Sequence, residues 1–165
     1  MKLNDLIEYN HVVRGLYLDA MNKITWGQVV EPRGLSFDSM RNVFLHLTHV
    51  EDRWINYIIP GRFKEWLDLD FETFKDIESL QKYALQVKSK TEIYIKTLSI
   101  NELSRQIAVP WADKPSTIIS VKTALTHMVM EDMIHYGELS AALWQMGIEA
   151  PYLGFWKHQY QTGKP

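Results

Sequence analysis

Glu131 and His135 are the two residues whose types and spacing best suit chemistry in this sequence. They lie in a stretch, 121–146, whose apolar residues recur at steps of three and four, the period of one helix face. At roughly 100° per residue, His135 lies within about 40° of the centre of that face and Glu131 about 80° from it. Both side chains can therefore point toward one place, one helical turn apart.

A carboxylate beside an apolar helix face needs a compensating partner, because its removal from water costs several kcal/mol. A metal ion is one such partner, and a hydrogen bond between Glu131 and His135 is another. From this helix alone, the hydrogen-bonded pair is favoured over the metal. The remainder of the chain changes that balance.

A second group of polar residues lies in 44–54, which is also periodic. By the same count His46 lies about 70° from the centre of the apolar face and His49 about 130° from it. Helix bundles build metal sites from side chains on facing helices, so His46 with Glu131 and His135 forms a possible ligand set. Two imidazoles and a carboxylate leave a coordination position open and suit Zn, Ni, Fe(II) or Mn, among which the sequence does not choose.

Composition excludes several classes of function. The chain has no cysteine, which rules out disulfide scaffolds, thiolate zinc sites and cysteine nucleophiles, and fits a cytoplasmic location. Lys and Arg number 18 against 20 Asp and Glu, a net charge of -2, which disfavours nucleic-acid binding. No signal peptide and no apolar run of membrane-spanning length are visible, so no membrane association is expected.

Hydrophobic periodicity predicts an all-α protein of one domain, 1–165, built as a four-helix bundle. The predicted long helices cover residues 4–29, 37–59, 73–98 and 117–146, and no convincing strand is found. A short extended connection, near 106–111, precedes the last helix. The aromatic C-terminal tail, 150–165, is expected to pack on the bundle or on another subunit.

Three segments resemble a known family, the DinB/YfiT-like superfamily. Residues 109–113 (VPWAD), 121–127 and 135–139 (HYGEL) are similar to its last third, and 46–54 is similar to its second helix. The resemblance implies a four-helix bundle, often dimeric, with a divalent metal held by three histidines between helices two and four. Matched residue by residue, two ligands are His46 and His135, and the third position is Glu131, where many members have histidine.

The glutamate leaves two interpretations. Either the site is a variant with two histidines and one carboxylate that keeps its metal, which we favour because glutamate is itself a metal ligand, or the metal has been lost. Two reserve ligands follow. His49 replaces His46 if the helix is rotated, and Asp132 either replaces Glu131 or accepts a hydrogen bond from a ligating imidazole.

The resemblance implies a metal-dependent thiol S-transferase as one candidate, and its rival is a hydrolase, because a metal with an open coordination position can activate bound water. Because the chain lacks cysteine, a low-molecular-weight thiol, or another small molecule, would have to enter as a substrate. The alternative is a non-catalytic, stress-related homodimer that has lost its metal or does not use it. His127 and His158 are not expected to bind metal.

Overall fold

The computed structural model describes residues 2–110, 117–152 and 154–163. Part of the family motif, Trp111 to Asp113, and the tail residues Leu153, Lys164 and Pro165 lie outside this range. The described residues are 68% helix and 5% strand, which confirms the all-α class.

Seven α-helices lie in the described residues: α1 Leu3–Met21, α2 Trp26–Val30, α3 Met40–Arg53, α4 Ile77–Ile95, α5 Ile100–Ser104, α6 Val121–Gln145 and α7 Phe155–Gln161. A π-helical turn, Trp54–Ile58, continues α3, and two short 3-10 turns follow at Phe63–Glu65 and Phe71–Thr73. Strands β1 (Gln106–Ala108) and β2 (Ile118–Ser120) pair antiparallel, with Ile107 opposite Ile119.

The first predicted helix is shorter than expected. It ends at Met21 rather than near residue 29, and α2 follows as a separate helix. The reason is local, because the Thr25 side chain accepts a hydrogen bond from the backbone N–H of Gln28 and starts a new helix. N-cap residues also fix where the next two long helices begin, Ser39 before α3 and Asp76 before α4.

The last long helix begins at Val121, four residues later than predicted. Its N-cap is Ser120, whose hydroxyl accepts from the backbone N–H of Thr123 at 3.0 Å. Ile118–Ser120 is strand β2 and not a first helical turn, because its backbone pairs with Gln106–Ala108 and its β-branched isoleucines suit a strand. The expectation of no strand was therefore wrong, although an extended segment was predicted at β1.

The four long helices pack against one another. α3 contacts both α4 and α6, and α1 contacts the same two helices, which supports the predicted four-helix bundle. Two apolar clusters form the core, and five residues at helical spacing within 37–59 are buried in them: Val43, Leu47, Val50, Trp54 and Ile58. None of the helices in the described ranges has the length and apolar content that a membrane span requires.

The C-terminal tail folds back onto the bundle. Helix α7 packs on α1, where the ring centroid of Tyr9 lies 5.2 Å from that of Phe155. His158 is buried against the same tyrosine. Of the two expected sites for this tail, the structure shows the first, packing on the chain's own helices.

An ionic network is buried between α1, α3, α4 and α6. Arg14 places Nη1 2.6 Å from Oε2 of Glu51 and Nη2 2.9 Å from Oδ2 of Asp132. His11 Nε2 lies 2.8 Å from Oε1 of Glu51, and the Thr91 hydroxyl donates to the same oxygen. Burial raises the pKa of Glu51, but Arg14 and His11 outweigh it and hold that pKa below its ordinary value. Burial raises the pKa of Asp132 to about 6, against the opposing effect of Arg14.

Candidate metal centre

The structure brings together the three residues that the sequence selects as metal ligands. His46 comes from α3, and Glu131 and His135 lie one turn apart on α6. One ligand atom from each lies within 4.8 Å of the other two. The Nε2 atoms of His46 and His135 are each 3.7 Å from Oε1 of Glu131. One carboxylate oxygen therefore lies between two imidazole nitrogens.

The three side chains do not satisfy one another by hydrogen bonding. A separation of 3.7 Å between nitrogen and oxygen is too long for a hydrogen bond. Ligand atoms bound tetrahedrally at about 2.0–2.2 Å from a zinc ion lie roughly 3.4 Å apart. The two histidine–glutamate separations, 3.7 Å, are slightly wider than that, and all three ligand atoms lie within 4.8 Å of one another. Side-chain movements that draw the ligand atoms together would allow all three residues to hold one ion. The donor set thus fits a divalent metal better than an internally hydrogen-bonded pair.

Exposure increases across the three candidate ligands. The side chain of His135 is 8% exposed, that of His46 19% and that of Glu131 29%. Burial, reinforced by the nearby His135, lowers the pKa of His46 to about 4. His46 is therefore neutral at neutral pH, and its Nε2 lone pair is available as a ligand. Because Glu131 is the most exposed of the three, solvent reaches the site from its side.

Phe37 holds the two imidazole rings in place. Its ring stacks on His46, with centroids 3.8 Å apart and an interplanar angle of 20°, and it meets His135 at 5.7 Å. The ring comes from the loop between α2 and α3. The next residue, Asp38, has a φ of 73°, a left-handed conformation that aspartate tolerates better than most residues. Sequence reasoning missed this contact, because loop geometry decides where an isolated aromatic residue packs.

Glu138 faces the far side of the His135 ring. Its Oε1 lies 3.6 Å from His135 Nδ1, and its Oε2 accepts hydrogen bonds from the backbone N–H of Ser36, at 3.3 Å, and the Ser36 hydroxyl, at 2.7 Å. That separation is too long for a hydrogen bond, and His135 Nδ1 has no hydrogen-bond partner among the described residues. A shift of Glu138 toward this nitrogen would make the hydrogen bond by which a carboxylate orients a ligating imidazole. Glu138 belongs to the HYGEL segment, so the sequence contained the signal, although this role was not predicted.

His127 lies at the edge of the group. Its Nε2 is 3.5 Å from Oε2 of Glu131, the oxygen that does not lie between the other two histidines. The side chain is 53% exposed, and its ring packs against Trp54, with centroids 5.9 Å apart. His127 can therefore reach a molecule that enters the site without being one of the three close ligands.

The two reserve ligands lie outside the group. The Nδ1 atom of His49 lies 3.0 Å from the Tyr83 hydroxyl, and its ring lies against Trp66. Burial lowers the pKa of His49 to about 4. Asp132 points toward α1 and binds Arg14 instead of an imidazole. The carboxylate that faces His135 is that of Glu138, which corrects the orienting role expected of Asp132.

Comparison with known proteins gives one family. The model of the DinB family matches residues 1–163, nearly the whole chain. A search of curated proteins finds no match to this sequence. The family assignment therefore rests on the family model, whose match covers all of the helices described above.

Proposed function

Since the chain belongs to the DinB family, we propose that it binds a divalent metal ion through His46, Glu131 and His135. The observation that carries this proposal is the convergence of the three ligand atoms from α3 and α6 without hydrogen bonds among them. Zn, Ni, Fe(II) and Mn all accept imidazole and carboxylate ligands, so the metal is to be identified by experiment.

We further propose that the site catalyses transfer of a low-molecular-weight thiol to an electrophilic substrate. When bound, the metal supplies Lewis acidity toward the thiol sulfur. Glu131 lies on the solvent side of the ligand set, where a thiol can enter. His127 is placed on the same side to accept the thiol proton, since its Nε2 already lies 3.5 Å from the outer oxygen of Glu131.

Hydrolysis is the second candidate, because the same exposed approach and the same histidine suit a water nucleophile. The two reactions differ in what they require. Thiol transfer needs added thiol and consumes it in proportion to product, whereas hydrolysis proceeds without thiol. The absence of cysteine from the chain means that any thiol consumed comes from the substrate.

Thermal unfolding tests the metal proposal. A ligand present at 100 times its Kd stabilises the folded state by about 2.7 kcal/mol, which for a chain of this size raises the midpoint by roughly 5–11 °C. We expect this shift for the wild type and for His127→Ala, and its loss in His46→Ala, Glu131→Ala and His135→Ala. An equal shift in all five proteins would contradict the ligand assignment.

Activity assays test the reaction. The metal-free protein is loaded in turn with Zn, Ni, Fe(II) or Mn and incubated with glutathione or cysteine and a chromogenic aryl halide. We expect turnover with at least one metal, and a strong reduction in His127→Ala at unchanged metal content. Metal-loaded protein inactive toward both thiol transfer and ester hydrolysis would favour the non-catalytic, stress-related bundle.

A homodimer in the cytoplasm also belongs to the proposal. The outer face of α6 exposes Met130 (62%), Met133 (40%) and Ile134 (64%), apolar surface that a second copy could cover. Sedimentation velocity at micromolar concentration should show a dimer, and Ile134→Glu should yield monomers. A monomeric wild type would contradict this part of the proposal.

A further inference from the structure

A cleft of about 160 Å³ opens between α1 and α4, away from the candidate metal ligands. Its lining includes His11, Arg14 and Gly15 of α1, the fully buried Phe44 of α3, and Leu85 of α4. None of His46, Glu131 and His135 lines it. The cleft therefore forms a second candidate binding site, independent of the proposed metal.

Two residues that line this cleft each carry a buried polar atom with no hydrogen-bond partner among the described residues. Arg14, whose side chain is 4% exposed, uses its terminal nitrogens on Glu51 and Asp132, but its Nε–H is unpaired. His11, whose side chain is 2% exposed, uses Nε2 on Glu51, and its Nδ1 is unpaired. Buried polar groups are normally hydrogen-bonded, so these two atoms indicate a missing partner.

The charges around the cleft disfavour an ionic ligand. One guanidinium, that of Arg14, already serves two carboxylates, Glu51 and Asp132, so a third carboxylate would be repelled. Asp19 also lines the cleft, and the one lysine there, Lys88, lies 3.7 Å from Glu92. A cationic head group would be repelled by the positive charge of the Arg14 guanidinium. An uncharged head group avoids both conflicts.

The two free atoms suit a head group that both accepts and donates. Arg14 Nε–H needs an acceptor. His11 Nδ1 offers a lone pair when Nε2 donates its hydrogen to Glu51. Apolar side chains, including Phe44 and Leu85, form the rest of the lining. The volume is that of roughly five water molecules, enough for a molecule of about six non-hydrogen atoms.

We propose that this cleft binds a small uncharged molecule with an amide head and a short aliphatic body. The carbonyl oxygen accepts from Arg14 Nε–H, the amide N–H donates to His11 Nδ1, and the aliphatic part lies against Phe44 and Leu85. Because Arg14 also binds Asp132, the residue next to Glu131, the ligand would contact the same buried network that joins α1 to α6.

Butanamide is a suitable probe, because it has six non-hydrogen atoms and the required head. Titration into ¹⁵N-labelled full-length protein should shift the Gly15 amide resonance and its neighbours saturably, with a Kd of roughly millimolar or tighter. Butyrate, of the same size but charged, should bind at least tenfold more weakly. Absence of a saturable shift, or equal binding of butyrate, would overturn the proposal.

Gly15→Leu tests the location. A Cβ at Gly15 would meet no heavy atom within 4 Å, and leucine favours a helix more than glycine does, so the variant should fold while obstructing the cleft. Gly27→Leu, at an exposed glycine of α2, is the matched control. We expect butanamide shifts to disappear in the first and persist in the second. Leu85→Trp, at an exposed position of the lining, is a second obstruction. Unchanged binding in both obstructed variants would overturn the assignment.

Discussion

Glu51→Gln should destabilise the protein far more than an ordinary surface substitution. The Glu51 side chain is 1% exposed and is bound by Arg14, His11 and Thr91. Glutamine keeps the shape but removes the negative charge, so Arg14 is left with Asp132 as its one carboxylate partner in this network. The substitution therefore removes one of the two buried ion pairs of Arg14, and it turns the amide N–H₂ of glutamine, a donor, toward side chains that donate to Glu51.

Removal of one partner from a buried ion pair costs about 3–5 kcal/mol. For a chain of 165 residues this corresponds to a fall in midpoint of roughly 6–20 °C. Urea unfolding at pH 7, followed by circular dichroism, gives the free energy of unfolding for both proteins. Glu65→Gln is the control, because both Glu65 and its partner Arg62 are exposed, and its midpoint should match that of the wild type.

The pH dependence gives a second test. The pKa of Glu51 lies below its ordinary value in the folded protein, so its ionised form contributes stability that is fully present above the ordinary pKa. That contribution is lost as the pH falls through the folded-state pKa. The difference between wild type and Glu51→Gln should therefore narrow below roughly pH 4.5. A difference under about 1 kcal/mol at pH 7 would refute the assigned role of the network.

Three further predictions concern other residues. Burial lowers the pKa of His49 to about 4, so this residue contributes stability that is fully present above pH 6.5 and is lost as the pH falls toward 4. Allowing for partial exposure, the free energy of unfolding of the wild type should fall by about 1–2 kcal/mol more than that of His49→Asn between pH 7 and 5, measured by urea unfolding. Glu138→Ala should weaken metal binding about 10–100-fold in competition with a chelating dye, because it frees His135 to rotate; unchanged affinity would exclude the orienting role. Leu47→Ala, at a fully buried position, should cost about 2–5 kcal/mol of unfolding free energy, with less than 1 kcal/mol counting against the described core.

Helix periodicity predicted the long helices and the convergence of the three candidate ligands. His46 and His135 lie near apolar faces of helices that pack together, so a rotation count was enough to point both inward. The same rotation count could not identify which residues of other helices these side chains contact. Asp132 was predicted to be a reserve ligand or the partner of an imidazole, yet its partner is Arg14, 118 positions away in sequence. Such long-range pairs are decided by tertiary packing.

The features that the sequence did not predict depend on local hydrogen bonds, strand pairing and loop geometry, which hydrophobic periodicity does not indicate. The break after Met21 depends on a hydrogen bond of the Thr25 side chain, and strand β2 depends on pairing with β1. Phe37 reaches His46 through a loop whose left-handed residue, Asp38, has no periodic signature. His127 was not expected to bind metal and its side chain is 53% exposed, but its Nε2 lies 3.5 Å from Oε2 of Glu131.

Metal content measured on the purified protein tests the central proposal most directly. Untagged protein, prepared without chelator, is analysed by inductively coupled plasma mass spectrometry alongside Glu131→Ala and Glu131→His. We expect near-stoichiometric Zn, Ni, Fe or Mn in the wild type and its loss in Glu131→Ala. A wild type without metal, together with metal bound by Glu131→His, would contradict the proposal and show that the bundle has kept the family's site but not its ion.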